Sequence, residues 1–368
     1  MFTATILCQD TSLNISGDQF PYLPNGEKYS PVYTLTLPGN SPCARVGHSC
    51  SYLPPVGNAK RGKVFIVGGA NPNRSFSDVH AMDLGKHQWD LVTCKGLLPR
   101  YEHASFIPSC TSDHIWVFGG ANQSGNRNCL QVLNPETKMW TTPEVTSPPP
   151  SPRTFHTSSA AIGNQLYVFG GGERGAQPVQ DTKLHVFDAE NCLNQGGGGC
   201  SEPRSSHCTL AWATDSFFLL AGNMKWQKLS PTGTAPAGCA AHSAVAVGNH
   251  LYVFGGMTPA GALDTMYQYH TERQHWTLLK FDSFLPPGRL DHSMCIIPWP
   301  VTCASEKEDS NSLTLNHEAE KRDSADKVMS HSGDSHEEGQ TDTLLCLVFG
   351  GMNTEGEIYD DCIVTIVD

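Results

Sequence analysis

Short apolar runs recur along most of the chain and are separated by Gly, Pro and Asn turns. Five of them end in a glycine pair: VFIVGG, IWVFGG, LYVFGG, LYVFGG and CLVFGG. The runs are rich in Val, Ile, Phe and Tyr, which favour strands, and helical periodicity is poor throughout. The pattern therefore predicts an all-β chain.

A repeat of about 50 residues organises these strands into six units, called repeats one to six below. An Arg-x-x-His motif opens a unit, a glycine pair follows the second strand, and in three units a Trp lies 20 residues after the second glycine. Each unit is expected to hold four strands. The repeated positions are Arg45, His48, Gly68, Gly69 and Trp89 in repeat one; Arg100, His103, Gly119, Gly120 and Trp140 in repeat two; Arg153, His156, Gly170 and Gly171 in repeat three; Arg204, His207 and Trp226 in repeat four; His242, Gly255, Gly256 and Trp276 in repeat five; and Arg289, His292, Gly350 and Gly351 in repeat six.

Four-stranded units that repeat with a glycine pair and an aromatic residue are the signature of a β-propeller. The glycines let backbones approach closely or adopt positive φ, and the Trp supplies the large apolar surface that packs one blade on the next.

These motifs resemble the kelch repeat over residues from about 32 to 368. The run that begins SPCARVGHSC is also similar to kelch-motif effectors of a late-endosomal Rab GTPase. This resemblance implies that the partner is a GTP-loaded Rab-type small GTPase and that the role is vesicle transport from endosomes to the trans-Golgi network. Contacts with other trafficking proteins and peripheral recruitment to those membranes are implied in the same way.

The ends of the repeat array predict how the ring closes. Repeat six stops at Asp368, before its aromatic fourth strand, whereas VYTLTL at 32–37 is a strand without a repeat. We expect this N-terminal strand to complete the last blade, with Tyr33 or Val32 near the missing Trp position. The predicted fold is a six-bladed kelch β-propeller over 31–368, preceded by a flexible tail at 1–30.

Residues 304–342 are predicted to be a disordered insertion within the last blade. They contain 11 acidic and four basic residues, few apolar residues and no aromatic ones, so they cannot offset the entropy of ordering. The insertion carries more than half of the net charge of the chain.

Repeat four is predicted to be a degenerate blade. Trp226 follows Gly222 by four residues instead of 20, so most of the third strand is missing. Repeat three lacks its Trp and has four consecutive glycines before Cys200. A splice variant, an error in the gene sequence or genuine divergence would each explain residues 189–223, and the sequence leaves the three open.

Charge and segment composition restrict the partners and the location. The net charge is -12, which opposes a broad grip on nucleic acid or on an anionic membrane. No signal peptide and no apolar stretch of 18 residues is present, so we expect a cytoplasmic protein without direct membrane insertion. The 14 cysteines form no Cys-x-x-Cys pair and are expected to be mostly reduced.

Catalytic chemistry has no convincing candidate in the sequence, and we predict no cofactor, no metal and no enzymatic activity. Gly170, Gly172 and Gly175 match a dinucleotide fingerprint by chance, because a strand and not a helix follows them. The motif histidines recur in every repeat, which favours blade geometry over a metal ring. The spacing of Cys192, Cys200, His207 and Cys208 fits no standard zinc pattern.

An interaction scaffold is therefore the preferred function, and two alternatives stay open. One is a kelch-type metalloenzyme, an oxidase or an isomerase. The other is a ubiquitin-ligase substrate adaptor, although 31 residues before the first strand are too few for a ligase-binding domain.

Three arginines are the candidate partner-binding residues. Arg74, Arg127 and Arg174 lie in the loops between second and third strands of repeats one to three, at what the sequence indicates are matching places. They are either ordinary solvated side chains or a basic arc that docks an acidic partner.

Overall fold

The structure of the protein is a computed structural model. It describes residues 5–7, 32–154, 161–174, 177–180, 185–193, 209–213, 216–220, 226–281, 286–300 and 342–367. At 5–7, 161–162, 174, 178, 192–193, 209–213, 216–220, 226–228 and 300 it describes the backbone alone. The predicted tail apart from 5–7, the predicted insertion apart from its last residue, and the repeat positions His156, Arg204 and His207 lie outside these residues.

Antiparallel meanders of strands form the bulk of the fold, as the apolar pattern predicts. The first strands are β1 (Thr5–Leu7) and β2 (Val32–Thr36). Repeat one contains β3 (Ser49–Leu53), β4 (Lys63–Val67), the short hairpin of β5 (Ala70–Asn71) and β6 (Arg74–Ser75), β7 (Val79–Asp83) and β8 (Gln88–Val92). Repeat two contains β9 (Ala104–Phe106), a 3₁₀ turn (Ser109–Thr111), β10 (Ile115–Phe118), the hairpin of β11 (Ala121–Asn122) and β12 (Gly125–Asn126), β13 (Leu130–Asn134) and β14 (Met139–Thr141).

The other repeats follow the same plan with differences in strand number. Repeat three contains β15 (Ala161–Ile162), β16 (Gln165–Val168), the hairpin of β17 (Gly172–Arg174) and β18 (Gln177–Pro178), β19 (His185–Asp188) and α1 (Ala189–Leu193). Repeat four contains β20 (Thr209–Ala213), β21 (Ser216–Leu220) and β22 (Trp226–Lys228). Repeat five contains β23 (Thr232–Gly233), β24 (Ser243–Val247), β25 (His250–Phe254), the hairpin of β26 (Met257–Thr258) and β27 (Gly261–Ala262), β28 (Met266–His270) and β29 (His275–Leu278). Repeat six contains β30 (Ser293–Pro300), β31 (Asp342–Phe349) and β32 (Cys362–Val367).

The N-terminal strand pairs with the last strand of the chain, as the sequence predicts. β2 is antiparallel to β32, with Val32 opposite Thr365 and Tyr33 opposite Val364. In repeat one, Trp89 pairs with Met82, which lies four residues after Asp78. In repeat six, the residue four positions after Asp361 is Thr365, and its partner is Val32. Val32, rather than Tyr33, therefore takes the Trp position. β1 then adds to β2 in parallel, so the sheet of repeat six has the order β1-β2-β32-β31-β30.

The hydrophobic core lies between neighbouring sheets. One cluster joins repeats six and one around Trp89 and Phe349, a second joins repeats one and two around Trp140, and a third joins repeats two and three around Trp116. The first strands stand side by side, with β3 next to β9 and β30, and β24 next to β30. In repeats five, six, one, two and three the sheets of neighbouring repeats pack on one another, and this arrangement is that of a β-propeller.

Within the described residues, four sheets have four or more strands and belong to repeats one, two, five and six. Repeats three and four each form a three-stranded sheet. In repeat four the segment that starts at Trp226 pairs directly with β21, in the place that the third strand takes elsewhere.

Candidate functional site

The motif arginines hold together the hairpin end of their own repeat. Arg45 is fully buried, and its Nη1 donates to the carbonyl oxygen of Gly68 at 2.9 Å. Nη1 and Nη2 also donate to the two carboxylate oxygens of Asp78, at 2.7 and 3.1 Å. Arg289 donates the same pair of hydrogen bonds to the carboxylate of Asp361, at 2.7 and 2.9 Å. A bidentate pair of this kind offsets the desolvation of a buried guanidinium.

Asp78 is held ionised by these contacts. Its burial alone would raise the carboxyl pKa, but hydrogen bonding with His80 and with Arg45 outweighs that effect and holds the pKa well below its ordinary value. The Arg45–Asp78 pair is therefore a permanent ion pair at neutral pH.

The glycine pair makes room for two histidines. A Cβ on Gly68 would lie 2.6 Å from the carbonyl oxygen of Arg100 and 3.3 Å from the ring of His103, both in the next repeat. A Cβ on Gly69 would lie 2.8 Å from the Cβ of His48 in the same repeat, and its φ is +95°. Because only glycine tolerates this crowding and this φ, the Gly-Gly and Arg-x-x-His motifs are two halves of one joint.

The same joint connects neighbouring repeats by a backbone hydrogen bond. The second glycine donates its N–H to the carbonyl oxygen of the next motif arginine: Gly69 to Arg100 at 2.8 Å, Gly120 to Arg153 at 3.3 Å, Gly256 to Arg289 at 2.8 Å and Gly351 to Arg45 at 3.0 Å. The last of these bonds joins repeat six, at the end of the chain, to repeat one.

The motif histidines are packing residues. His48 is buried, its Nε2 lies 3.2 Å from the carbonyl oxygen of Phe349 in the preceding repeat, and its ring meets that of Phe349 edge-on. Burial and the charge of Arg45 lower the pKa of His48 to about 3, so the ring is neutral. No group of three or more His, Cys, Asp or Glu residues able to hold a metal lies in the part of the chain that the structure describes.

Sequence reasoning missed a further set of glycines, which lie against the motif tryptophans. A Cβ on Gly39 would lie 2.1 Å from the carbonyl oxygen of Trp89, and Gly233 stands in the same relation to Trp276. Their φ values are +105° and +84°. The spacing from glycine to Trp varies between repeats, so no fixed period marked these positions.

The short hairpins and the loops between repeats share one side of the ring, which we call the hairpin face. Isolated bridges tie each loop to the hairpin of its own repeat: Val46 to Ala70, Tyr101 to Ala121, Thr154 to Gly172, Ala240 to Met257 and Leu290 to Met352. This face therefore presents loops on a fixed backbone frame, the usual setting for a binding site on a rigid scaffold.

The three candidate arginines lie on the hairpin face, but they do not occupy matching places. Arg74 is an exposed residue of β6, and its guanidinium lies 5.0 Å from the ring centre of Phe76. Arg127 is half-buried. Its backbone N–H donates to the carbonyl oxygen of Gly120, as the backbone N–H of Phe76 donates to that of Gly69, so Arg127 takes the position of Phe76. Arg174 ends β17, where only the backbone is described. The expectation of equivalent positions was wrong: the hairpins of repeats one and two have the same length, but Arg74 follows Gly69 by five residues and Arg127 follows Gly120 by seven.

Two acidic residues at the centre of this face were also missed. Each precedes a motif histidine, with Glu102 in repeat two and Asp291 in repeat six. The N–H of Glu102 donates to the carbonyl of Gly47, and the N–H of Gly47 to that of Asp291, so the three residues follow one another around the mouth of the ring. Burial and the charge of Asp291 raise the pKa of Glu102 to about 8, and burial raises that of Asp291 to about 6.

These joints and the loops presented on one face define a kelch-type propeller scaffold. A family model for the KLHDC2/KLHL20/DRC7 Kelch-repeats domain matches residues 47–223 and 198–309. Among the described residues, no helix has the length and apolar character needed to cross a membrane.

Curated relatives narrow the family. The chain is 80% identical over 402 residues to the human "Rab9 effector protein with kelch motifs", an alignment that covers 95% of this chain and 100% of that protein. Proteins of the same name from Rattus norvegicus and Xenopus laevis are 66% and 45% identical, over 95% and 92% of this chain and 100% and 96% of their own lengths. The chain belongs to the kelch-repeat family and to the group that these relatives form.

Proposed function

We propose that this protein is a non-enzymatic scaffold that binds a Rab GTPase, Rab9 or a close homologue, in its GTP-loaded state. The observation that carries the proposal is the 80% identity, over nearly the whole chain, to a protein named as a Rab9 effector. Transport from endosomes to the trans-Golgi network, with cytoplasmic protein recruited peripherally to those membranes, is the cellular role that this partner implies.

The hairpin face is the proposed docking surface. A small GTPase needs a surface of about 800 Å² on its partner, and the hairpins with their bridged loops are the parts of the described chain that combine variable sequence with a fixed frame. Arg74 and Arg127 supply exposed and half-buried positive charge there. With Arg174 they retain the proposed role of binding an acidic partner surface.

We further propose that the ring has six blades over 31–368, with repeat four as the weakest. Six sheets correspond to the six sequence repeats, but those of repeats three and four have three strands each within the described residues. The two alternative functions, metalloenzyme and ubiquitin-ligase adaptor, have no observation in the described residues that favours them.

The test is a binding measurement with purified Rab9 loaded with a non-hydrolysable GTP analogue or with GDP. We expect saturable binding to the GTP-analogue form and at least tenfold weaker binding to the GDP form. Rab5 loaded with the same analogue is the matched control, because it shares the GTPase fold but differs in surface. Equal affinity for both nucleotide states would refute the effector role.

A further inference from the structure

Repeat two keeps the motif arginine but loses its acid. The first glycine of each pair donates its N–H to one carbonyl, which belongs to Asp78 in repeat one and to Asp361 in repeat six. In repeat two that carbonyl belongs to Cys129. Cys129 therefore stands at the position from which a carboxylate pairs with the arginine in the other two repeats.

Arg100 is consequently a buried cation without a carboxylate among the described residues. Its side chain is fully buried, and its nitrogens donate to the carbonyl oxygens of Leu98, Gly119 and Cys129, to the side-chain oxygen of Gln131 at 2.5 Å and to the Cys129 sulfur at 3.3 Å. All of these carbonyl and amide acceptors are uncharged. Burial is the main cause that lowers the pKa of Arg100; Cys129 opposes this shift, and the nearby Arg127 adds to it.

The residue that covers the arginine is changed in the same repeat. In repeat one the ring of Phe76 lies 4.3 Å from the guanidinium carbon of Arg45, and in repeat six Tyr359 covers Arg289 at 4.6 Å. Repeat two has Arg127 at this position, so a second cation replaces an aromatic ring. Its Nε is buried and has no hydrogen-bond partner in the described structure.

The acid nearest in sequence does not fill the gap. The Oε2 atom of Glu102 is buried and has no hydrogen-bond partner among the described residues, so this carboxyl pairs with neither arginine through that atom. Repeat five is consistent with arginine and acid occurring as a pair, because both are absent there: Cys239 replaces the arginine and Thr265 replaces the acid. Arginine and acid are lost together in repeat five, whereas in repeat two the acid alone is lost.

We propose that Arg100 and Arg127 form a carboxylate-accepting site on the hairpin face of repeat two, and that its ligand is an Asp or Glu side chain of a partner protein. The half-buried Arg127 makes the direct contact through its guanidinium, and the buried charge of Arg100 strengthens the attraction from below. The proposal deepens the proposed function, on which it rests for the identity of the partner. It singles out Arg127 from the three candidate arginines.

The test uses a probe that contains no GTPase, a fluorescein-labelled hexaglutamate peptide, and measures fluorescence anisotropy at low ionic strength with the full chain. We expect saturable binding by the wild type and at least tenfold weaker binding by Arg127→Gln. Arg74→Gln is the matched control: it removes the same charge from the same face, but beside Arg45, which Asp78 already neutralises. Because Arg74 is itself a proposed contact, Arg74→Gln should also weaken peptide binding, but by less than Arg127→Gln does.

Cys129→Asp provides an independent arm. An internal carboxylate at this position should pair with Arg100 as Asp78 pairs with Arg45, raise the melting temperature and weaken peptide binding several-fold. Cys129→Ser, which adds no charge, should leave peptide binding unchanged.

The proposal is overturned if the wild type shows no saturable binding, if Arg74→Gln and Arg127→Gln weaken binding equally, or if folded Cys129→Asp binds as tightly as the wild type. Loss of Rab9 binding with intact peptide binding would count against the proposed function and not against this site. If the peptide does not bind but Rab9 binding stays intact and nucleotide-dependent, the result would count against this site and not against the proposed function.

Discussion

Removal of the N-terminal strand should open the ring at its closing sheet. Deletion of residues 1–38 takes away β2 and Leu37, while deletion of 1–30 leaves both in place. β2 pairs with β32 through three residues, and without it the edge of β32 is left with unpaired backbone groups.

The size of the effect follows from what the strand buries. Leu37 is buried against the cluster between repeats six and one, Tyr33 and Leu35 are partly buried against it, and Val32 is partly buried between repeats five and six. One fully and three partly buried side chains contribute about 5 kcal/mol of transfer free energy. With an unfolding entropy of about 2.1 cal/mol/K for each of the roughly 260 described residues, this corresponds to a drop in Tm of about 9 °C.

Differential scanning calorimetry of the wild type and the two deletions checks this prediction. We expect the 1–38 deletion to lose about 9 °C and the 1–30 deletion less than about 2 °C. A synthetic peptide of residues 30–40 should restore part of the loss when added to the 1–38 deletion. Equal losses in both deletions would refute closure by β2.

Three further changes test other parts of the account. Replacement of 301–341 by Asn-Gly should leave Tm within about 2 °C of the wild type by calorimetry, because Pro300 and Asp342 are already paired and a two-residue turn can join them; a larger loss would mean that the segment contributes to the fold. Gly69→Ala should destabilise the protein by about 2–3 kcal/mol in urea titrations, because its Cβ would lie 2.8 Å from the Cβ of His48. Gly57→Ala should lose less stability, because nothing lies within 4 Å of the added Cβ. Equal losses would contradict the proposed fit between the glycine pair and the motif histidines. The raised pKa of Glu102, about 8 in the folded protein, means that its contribution to stability is present below pH about 4.5 and lost as the pH rises through 8. Glu102→Gln should therefore raise Tm at pH 8 relative to the wild type but not at pH 4, whereas exposed Glu136→Gln should change neither, and a pH-independent difference would contradict the raised pKa.

The sequence predicted those parts of the fold that depend on local pattern and on the repeat. The glycine pairs and the motif histidines could be anticipated because their physical demands recur at fixed spacing, and the closing strand because repeat six lacks a fourth strand. Val32 could not be distinguished from Tyr33 in advance, because a shift of one residue in register moves the side chain to the opposite face and only the pairing with Thr365 settles it.

The candidate site was less accessible to sequence reasoning. Arg74 and Arg127 were placed on the correct loops, but Arg127 was aligned with Arg74, although the 51-residue spacing between Gly69 and Gly120 aligns it with Phe76. The proximity of Glu102 and Asp291 arises from ring closure, which joins residues almost 190 positions apart. The missing acid was visible in the sequence, because Cys129 follows Asp78 by the 51 residues that separate Gly68 from Gly119, and the glycine hydrogen bonds agree with this alignment.

The measurement that tests the central claim most directly is the affinity of the full chain for Rab9 in its two nucleotide states, with the wild type and Arg127→Gln compared side by side. A folded propeller scaffold that acts as an effector should bind the GTP-analogue form at least tenfold more tightly than the GDP form, and Arg127→Gln should weaken that binding without a change in Tm. Binding that is absent, or equal for the two nucleotide states, would contradict the account.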